Sequence, residues 1–131
     1  MRHEITDLNI SGHEVTLFTE SNPESVLIQP VDSHDMEEMS KEIEYIEHHC
    51  NHNFVLAAVK INKWNEELTP WPAPPVFGKI PFGDGAGKTL CFITENLLPW
   101  FKTKLDRKVS VFLGGYSLAG LFSLWACYNT D

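Results

Sequence analysis

The chain has 131 residues, 43% hydrophobic and 21% charged, with a formal net charge of −8, enough for one domain with one core and ordinary globular usage. That acidity argues against nucleic acid and anionic membrane surfaces as partners. No apolar run reaches the roughly 18 residues a membrane span needs, and MRHEITDLNI carries acids where a signal peptide needs an apolar stretch, so a cytoplasmic protein is expected.

Residues 3–10 and 13–19 alternate apolar and polar around Ser11-Gly12, which predicts a β-hairpin. Ser21-Asn22-Pro23 reads as a loop. Ser25–Val31 (SVLIQPV) is an apolar run of strand length and predicts a strand buried on both faces. Residues 32–35 offer several N-cap side chains. Met36, Met39, Ile43, Ile46 and Cys50 then recur at three- and four-residue steps, one stripe of a helix whose other face is acidic and solvated. Phe54–Ile61 (FVLAAVKI) predicts a second buried strand. Strand, helix, strand in this order implies a parallel pair with a right-handed crossover.

From about Asn62 to Gly85 runs a long Pro- and Gly-rich stretch with Trp64, Trp71, Phe77 and Phe82. A loop of this length within a compact domain is usually functional. Trp64, Trp71 and Phe77 either line a substrate pocket or anchor the loop, and anchoring suits two of the three. Helical spacing returns over 86–105 through Leu90, Ile93, Leu97 and Phe101, with Pro99 expected to kink the helix or begin a new turn. Val109–Leu113 (VSVFL) predicts a third buried strand, and Leu118–Tyr128 a final apolar helix. The fold class is α/β: a hairpin followed by parallel βαβαβ. Cys50, Cys91 and Cys127 are odd in number and widely spaced, which fits reduced thiols better than a disulfide framework.

VSVFL runs directly into Gly114-Gly115-Tyr116-Ser117-Leu118-Ala119-Gly120. Strand, small-x-Ser-x-small, helix is the pattern of a nucleophile elbow. So tight a turn holds the serine in a strained conformation. Only small side chains fit two positions before and after it, and Gly115 and Ala119 stand there. The helix starting at Leu118 aims its N-terminal N–H groups at the site, which makes the Leu118 N–H an oxyanion donor. A second donor normally comes from the loop after an adjacent strand. Here that loop follows SVLIQPV, so Val31 or Asp32 is the candidate, unless Asp32 merely caps the next helix.

Three stretches in order, AAVKINKWNEELTPWPAP, ITENLLPWF and GGYSLAGLFSLWA, resemble the esterase branch of the α/β hydrolases, which includes enterochelin-esterase and S-formylglutathione-hydrolase-like enzymes. With the hairpin, the resemblance covers most of the chain. It implies the N-terminal part of an α/β-hydrolase fold and hydrolysis of a small-molecule ester through an acyl-serine at Ser117, with Leu118 as oxyanion donor and no metal or other cofactor.

In that fold the triad runs Ser, then Asp or Glu, then His. Residues 118–131 contain no histidine, and their one acid is Asp131. All six histidines (His3, His13, His34, His48, His49, His52) precede the serine. Residues 1–131 therefore read as a single incomplete domain lacking its last strands, the triad acid and the histidine. The alternative is an inactive remnant without a general base. VSVFL should then be an uncovered apolar edge, which invites pairing with another chain. His34 follows a strand at the active end of the sheet, but a catalytic role there would break the triad order.

Two other signals compete. Gly83-Asp84-Gly85-Ala86-Gly87-Lys88-Thr89 resembles a phosphate loop, which gives a nucleotide-binding module as a lesser alternative. A Walker A motif needs glycine where Phe82 stands, and Pro81 occupies the end of the strand that should lead in. His48 and His52 lie one helical turn apart, but no second ligand pair at zinc-site spacing accompanies them, so no metal site is expected.

Overall fold

The computed structural model describes residues 1–76, 78–105 and 108–130; Phe77 and Asp131 lie outside them. The chain forms two compact units. One comprises Met1–Lys60 with the strand at Ser110–Leu113, and the other the stretches beginning at Ile61 and at Gly115.

In the first unit, β1 (Glu4–Ile10) and β2 (His13–Thr19) form the expected hairpin. Ser11 and Gly12 both have positive φ, 50° and 88°, as a two-residue turn must to follow the strand twist. The Asn9 side chain accepts the Gly12 N–H at 3.0 Å. β3 (Ser25–Val31) and β4 (Phe54–Lys60) are parallel, joined through α1 (Ser33–His49). β2 pairs antiparallel with the other edge of β4, and β5 (Ser110–Leu113) pairs parallel with β3. The sheet order is β1-β2-β4-β3-β5.

β4 is central, and Phe54 through Val59 are buried on both faces. β3 is more accessible than its composition predicts: Val26, Ile28, Pro30 and Val31 are buried, while Ser25, Leu27 and Gln29 are partly open. β5 corrects the sequence reading of a third buried strand. Val111 is 47% and Phe112 55% exposed, because β5 ends the sheet and pairs with β3 alone among the described residues. An apolar strand is buried only where neighbours cover it, and among the described residues no strand pairs with the outer side of β5.

A capping box starts α1. The Asp32 carboxylate accepts the Asp35 N–H at 2.7 Å, and the Asp35 carboxylate accepts the Asp32 N–H at 3.2 Å. Met39 and Ile43 face inward and join Phe18, Val31, Phe54 and Leu56 in one core. Burying each such side chain contributes about 2 kcal/mol.

His3, which the sequence reads only as part of a strand, has a fully buried side chain. Its Nδ1 meets the Glu47 carboxylate at 2.5 Å, and its Nε2 lies 2.8 Å from the Phe54 carbonyl and 3.2 Å from the Glu20 carboxylate. Arg2 binds the same two acids, donating from Nε to Glu20 at 2.7 Å and from its backbone to Glu47 at 3.0 Å.

The second unit contains α2 (Trp64–Glu67), α3 (Ala86–Phe92), α4 (Leu98–Lys104) and α5 (Leu118–Tyr128). The helix expected over 86–105 is interrupted by a π-helical turn at Ile93–Leu97. Pro99 falls in the first turn of α4. Proline has no N–H for the carbonyl four residues back, so a widened turn precedes it and a new helical segment begins. The 62–85 stretch is folded rather than loose. Ala73 and Phe82 exchange backbone hydrogen bonds of 3.3 and 2.9 Å. The Thr69 hydroxyl lies 2.6 Å from the Asn65 carbonyl and 2.9 Å from the Gly83 carbonyl, and accepts the Gly83 N–H at 3.0 Å. Among the described residues no helix is long and apolar enough to cross a membrane.

The Arg2–His3 cluster predicts an acid response. Burial opposes ionisation of Glu20, but hydrogen bonds from Arg2 and from the Phe54 N–H outweigh it and hold the carboxyl below the ordinary 4.5. Glu47 is lowered in the same way, burial being overcome by His3 and Arg2. Folded values below the unfolded ones give stability that is complete above the ordinary value and lost as pH falls through the lowered ones. Glu42 and Asp35, raised chiefly by burial, act in the opposite sense. The Glu20→Gln/Glu47→Gln variant should therefore be less stable than the parent at neutral pH, with the gap closing below about pH 4.5. Urea denaturation of both proteins across this range measures it.

Candidate active site

The Gly114 N–H donates to the Ile28 carbonyl at 3.1 Å, extending the β5 ladder by one residue. Ser117 follows three residues later, and α5 begins at Leu118. Ser117 has φ 57° and ψ −122° and is exposed. A residue with a Cβ reaches such a conformation only at a cost of about 1–3 kcal/mol, held by its surroundings. The Ser117 carbonyl accepts the N–H groups of Gly120 (3.0 Å) and Leu121 (3.2 Å), while its hydroxyl does not cap the helix. The Leu118 N–H, first in the helix, has no hydrogen-bond partner among the described residues.

What imposes this conformation is visible at the neighbouring positions. A Cβ built on Gly115 would collide with the Ala119 methyl, and one on Gly120 would lie 3.1 Å from the Gly115 carbonyl oxygen. The two small residues flanking Ser117 at two positions on either side thus meet each other across the turn. The buried Ala119 and Phe122 hold the inner face of α5.

The remaining candidates belong to the first unit. Val31 is fully buried at the end of β3. Asp32 caps α1, and its own N–H is engaged by Asp35. All six histidines are in that unit as well, and the unit holding Ser117 contains none. His34 is exposed, 4.0 Å from Glu37. His49 bonds the Tyr45 carbonyl at 2.8 Å, and His52 meets Glu24 at 2.8 Å. Among the described residues no three His, Cys, Asp or Glu side chains are grouped to hold a metal ion.

The 83–89 segment has a packing role. A Cβ on Gly83 would come 2.6 Å from the Glu66 side chain, and one on Gly85 2.8 Å from the Glu66 carbonyl oxygen. These glycines let the segment lie against α2. The Thr89 hydroxyl, which a phosphate loop would need free for a metal ion, is buried and donates to the Glu67 carbonyl at 2.6 Å. Trp64 is half-buried in α2, whereas Trp71 is 66% exposed.

No family model and no curated protein sequence matches the chain. Solved structures do. Siderophore hydrolase EstA from Aspergillus nidulans aligns with a TM-score of 0.66 at 19% identity, over 98% of this chain and 53% of its own. Siderophore hydrolase EstB from the same organism aligns with a TM-score of 0.60 at 20% identity, over 97% and 51%. An IroE-like serine hydrolase from Shewanella oneidensis gives 0.69 at 16% identity, over 95% and 45%. The architecture is therefore an α/β-hydrolase fold. The chain spans about half the length of these structures.

The strain at Ser117 predicts a stability difference. Glycine adopts positive φ freely, so Ser117→Gly should be more stable than Ser117→Ala by about 1 kcal/mol, the strain relieved exceeding glycine's entropic cost. Equal denaturation midpoints for the two variants would remove the case for strain.

Proposed function

We propose that the chain is the nucleophile-bearing part of an esterase-type serine hydrolase. Its two units belong to one incomplete domain, and the triad acid and histidine lie in chain that follows Asp131. The observation that carries this reading is Ser117: exposed, at positive φ between a strand and a helix, beside the unpartnered Leu118 N–H. The hydrolase structures sharing the fold support the same chemistry.

In the proposed reaction, the Ser117 hydroxyl oxygen attacks the ester carbonyl carbon while a histidine takes its proton, since a serine hydroxyl is a weak nucleophile unaided. The carbonyl electron pair moves onto oxygen, and the Leu118 N–H binds the resulting anion. Val31 and Asp32 are the candidates for a second donor; Asp32 would first have to release the Asp35 carboxylate. Collapse expels the alkoxide, which takes the proton from histidine and leaves an acyl-serine. Water activated by the same histidine then releases the acid and restores the hydroxyl.

The alternative reading is a remnant without turnover. Two measurements on the protein from its source separate them. The first reading expects an intact mass about twice that of this chain, from the shares of the aligned structures covered. It also expects fluorophosphonate labelling that Ser117→Ala abolishes. A mass equal to this chain, with Ser117 unlabelled, establishes the remnant.

Among the described residues no strand pairs with the outer side of β5, and the side chains of Val111 and Phe112 are exposed. Self-association through this edge is expected. Sedimentation velocity should show mass rising with concentration, and Phe112→Lys should suppress it; an unchanged concentration dependence would locate the contact elsewhere.

A further inference from the structure

Beside Ser117, within the same compact unit, lies a cavity of about 190 Å³. Its wall is formed by Trp71 and Phe82 from the 62–85 stretch and by Leu118, Leu121 and Trp125 from α5, with Thr69 at its side. Leu118, which follows Ser117 in the chain and whose N–H has no partner among the described residues, forms part of the wall, so the cavity comes within one residue of Ser117.

Three features define what it can hold. The first is chemical: among the described residues no lining side chain is ionisable, and the Thr69 hydroxyl is spent on the backbone of Asn65 and Gly83. A charged group entering here would shed part of its water without finding a partner among the described wall residues, which is unfavourable. The second is size. An apolar cavity of about 150 Å³ suffices for a benzene ring, so this one takes a single ring or a branched chain of similar bulk. The third is rigidity. The Ala73–Phe82 backbone bridge and the Thr69–Gly83 bonds close the 62–85 stretch, so Trp71 and Phe82 are carried on a fixed frame. Trp71 and Leu121 are nonetheless 66% and 51% exposed, apolar area that a ligand would cover.

We infer that this cavity is a specificity pocket for one uncharged, apolar group of about ring size on the ester that Ser117 attacks, with Trp71, Phe82, Leu121 and Trp125 as the selecting residues. The role as a substrate pocket rests on the nucleophile reading of Ser117, while the binding itself does not.

Titration of the chain with toluene, benzoate and benzylammonium tests the pocket without requiring turnover. Tryptophan fluorescence and the amide shifts of Leu118 and Leu121 are the readouts. Toluene should bind saturably and shift both amides, and the two charged rings should bind at least about tenfold more weakly, given the cost of stripping a charge of water. Leu121→Asp should weaken toluene at least about tenfold, and Trp71→Ala should weaken it as well. Both positions are largely exposed, so these variants are expected to fold. Ser117→Ala should leave the affinity unchanged. Absence of saturable toluene binding, equal binding of the charged rings, or insensitivity to both wall variants would each overturn the pocket. If toluene binds as described but fluorophosphonate leaves Ser117 unlabelled in the native protein, the nucleophile reading fails and the pocket stands.

Discussion

Between Gly115 and Ala119 the chain approaches itself so closely that a second Cβ has no room. That contact holds residue 115 tightly against the first turn of α5. Of the four residues, 114–117, between the end of the strand and the start of the helix, Ser117 holds a positive φ, and the sequence puts serine there instead of the glycine that would adopt it freely. Local energetics and placement of the hydroxyl therefore pull in opposite directions. Placement prevails because α5 is anchored by its buried inner residues, so the turn has no looser alternative to relax into. The first N–H of the helix is left beside the hydroxyl by the same geometry. Hydroxyl and donor are two products of one steric constraint.

Much of this was legible because it is local. Alternation and the Ser11-Gly12 turn define the hairpin. The three- and four-residue spacing of Met36 to Ile46 defines α1, and the continuous apolar run of FVLAAVK defines β4. The turn at Ser117 could be read because its requirements fall on adjacent residues. The sequence was less informative where position in the sheet decides. VSVFL has the composition of a central strand but stands at the edge. His3 lies in an alternating strand pattern, and nothing nearby announces that Glu20 and Glu47 will converge on it. The four-residue α2 is too short for any periodicity to show. The cavity beside Ser117 draws on residues from 69 to 125, a grouping that no motif spans.

The glycine-rich stretch at 83–89 shows how a sequence pattern and its physical use can part company. Phosphate loops use glycine so that backbone N–H groups can approach an anion closely. Here Gly83 and Gly85 serve a different close approach, against Glu66 and its neighbour in α2. Both uses select glycine for the same missing Cβ. They diverge at Thr89, whose hydroxyl is turned to the Glu67 carbonyl. The same stretch, drawn together through Thr69, carries Phe82 at a fixed position in the wall.

The parallel pairing of β5 with β3 has a consequence in time. An antiparallel neighbour can fold back through a two-residue hairpin, but a parallel one must return by a crossover of about a dozen residues or more. Any strand that follows β5 in the chain and continues this sheet in parallel beside it is therefore made well after β5 itself. At translation rates of about 5–20 residues per second, the delay is on the order of a second, long compared with the roughly 1–10 μs in which a hairpin closes. Throughout such an interval Val111 and Phe112 would stay accessible on a nascent chain whose hairpin, central strand and first helix are already available to fold. In a chain that continues so, the pace of the ribosome over the next stretch of message would bear on yield, and a chaperone that holds short extended apolar segments would have its target in these few residues.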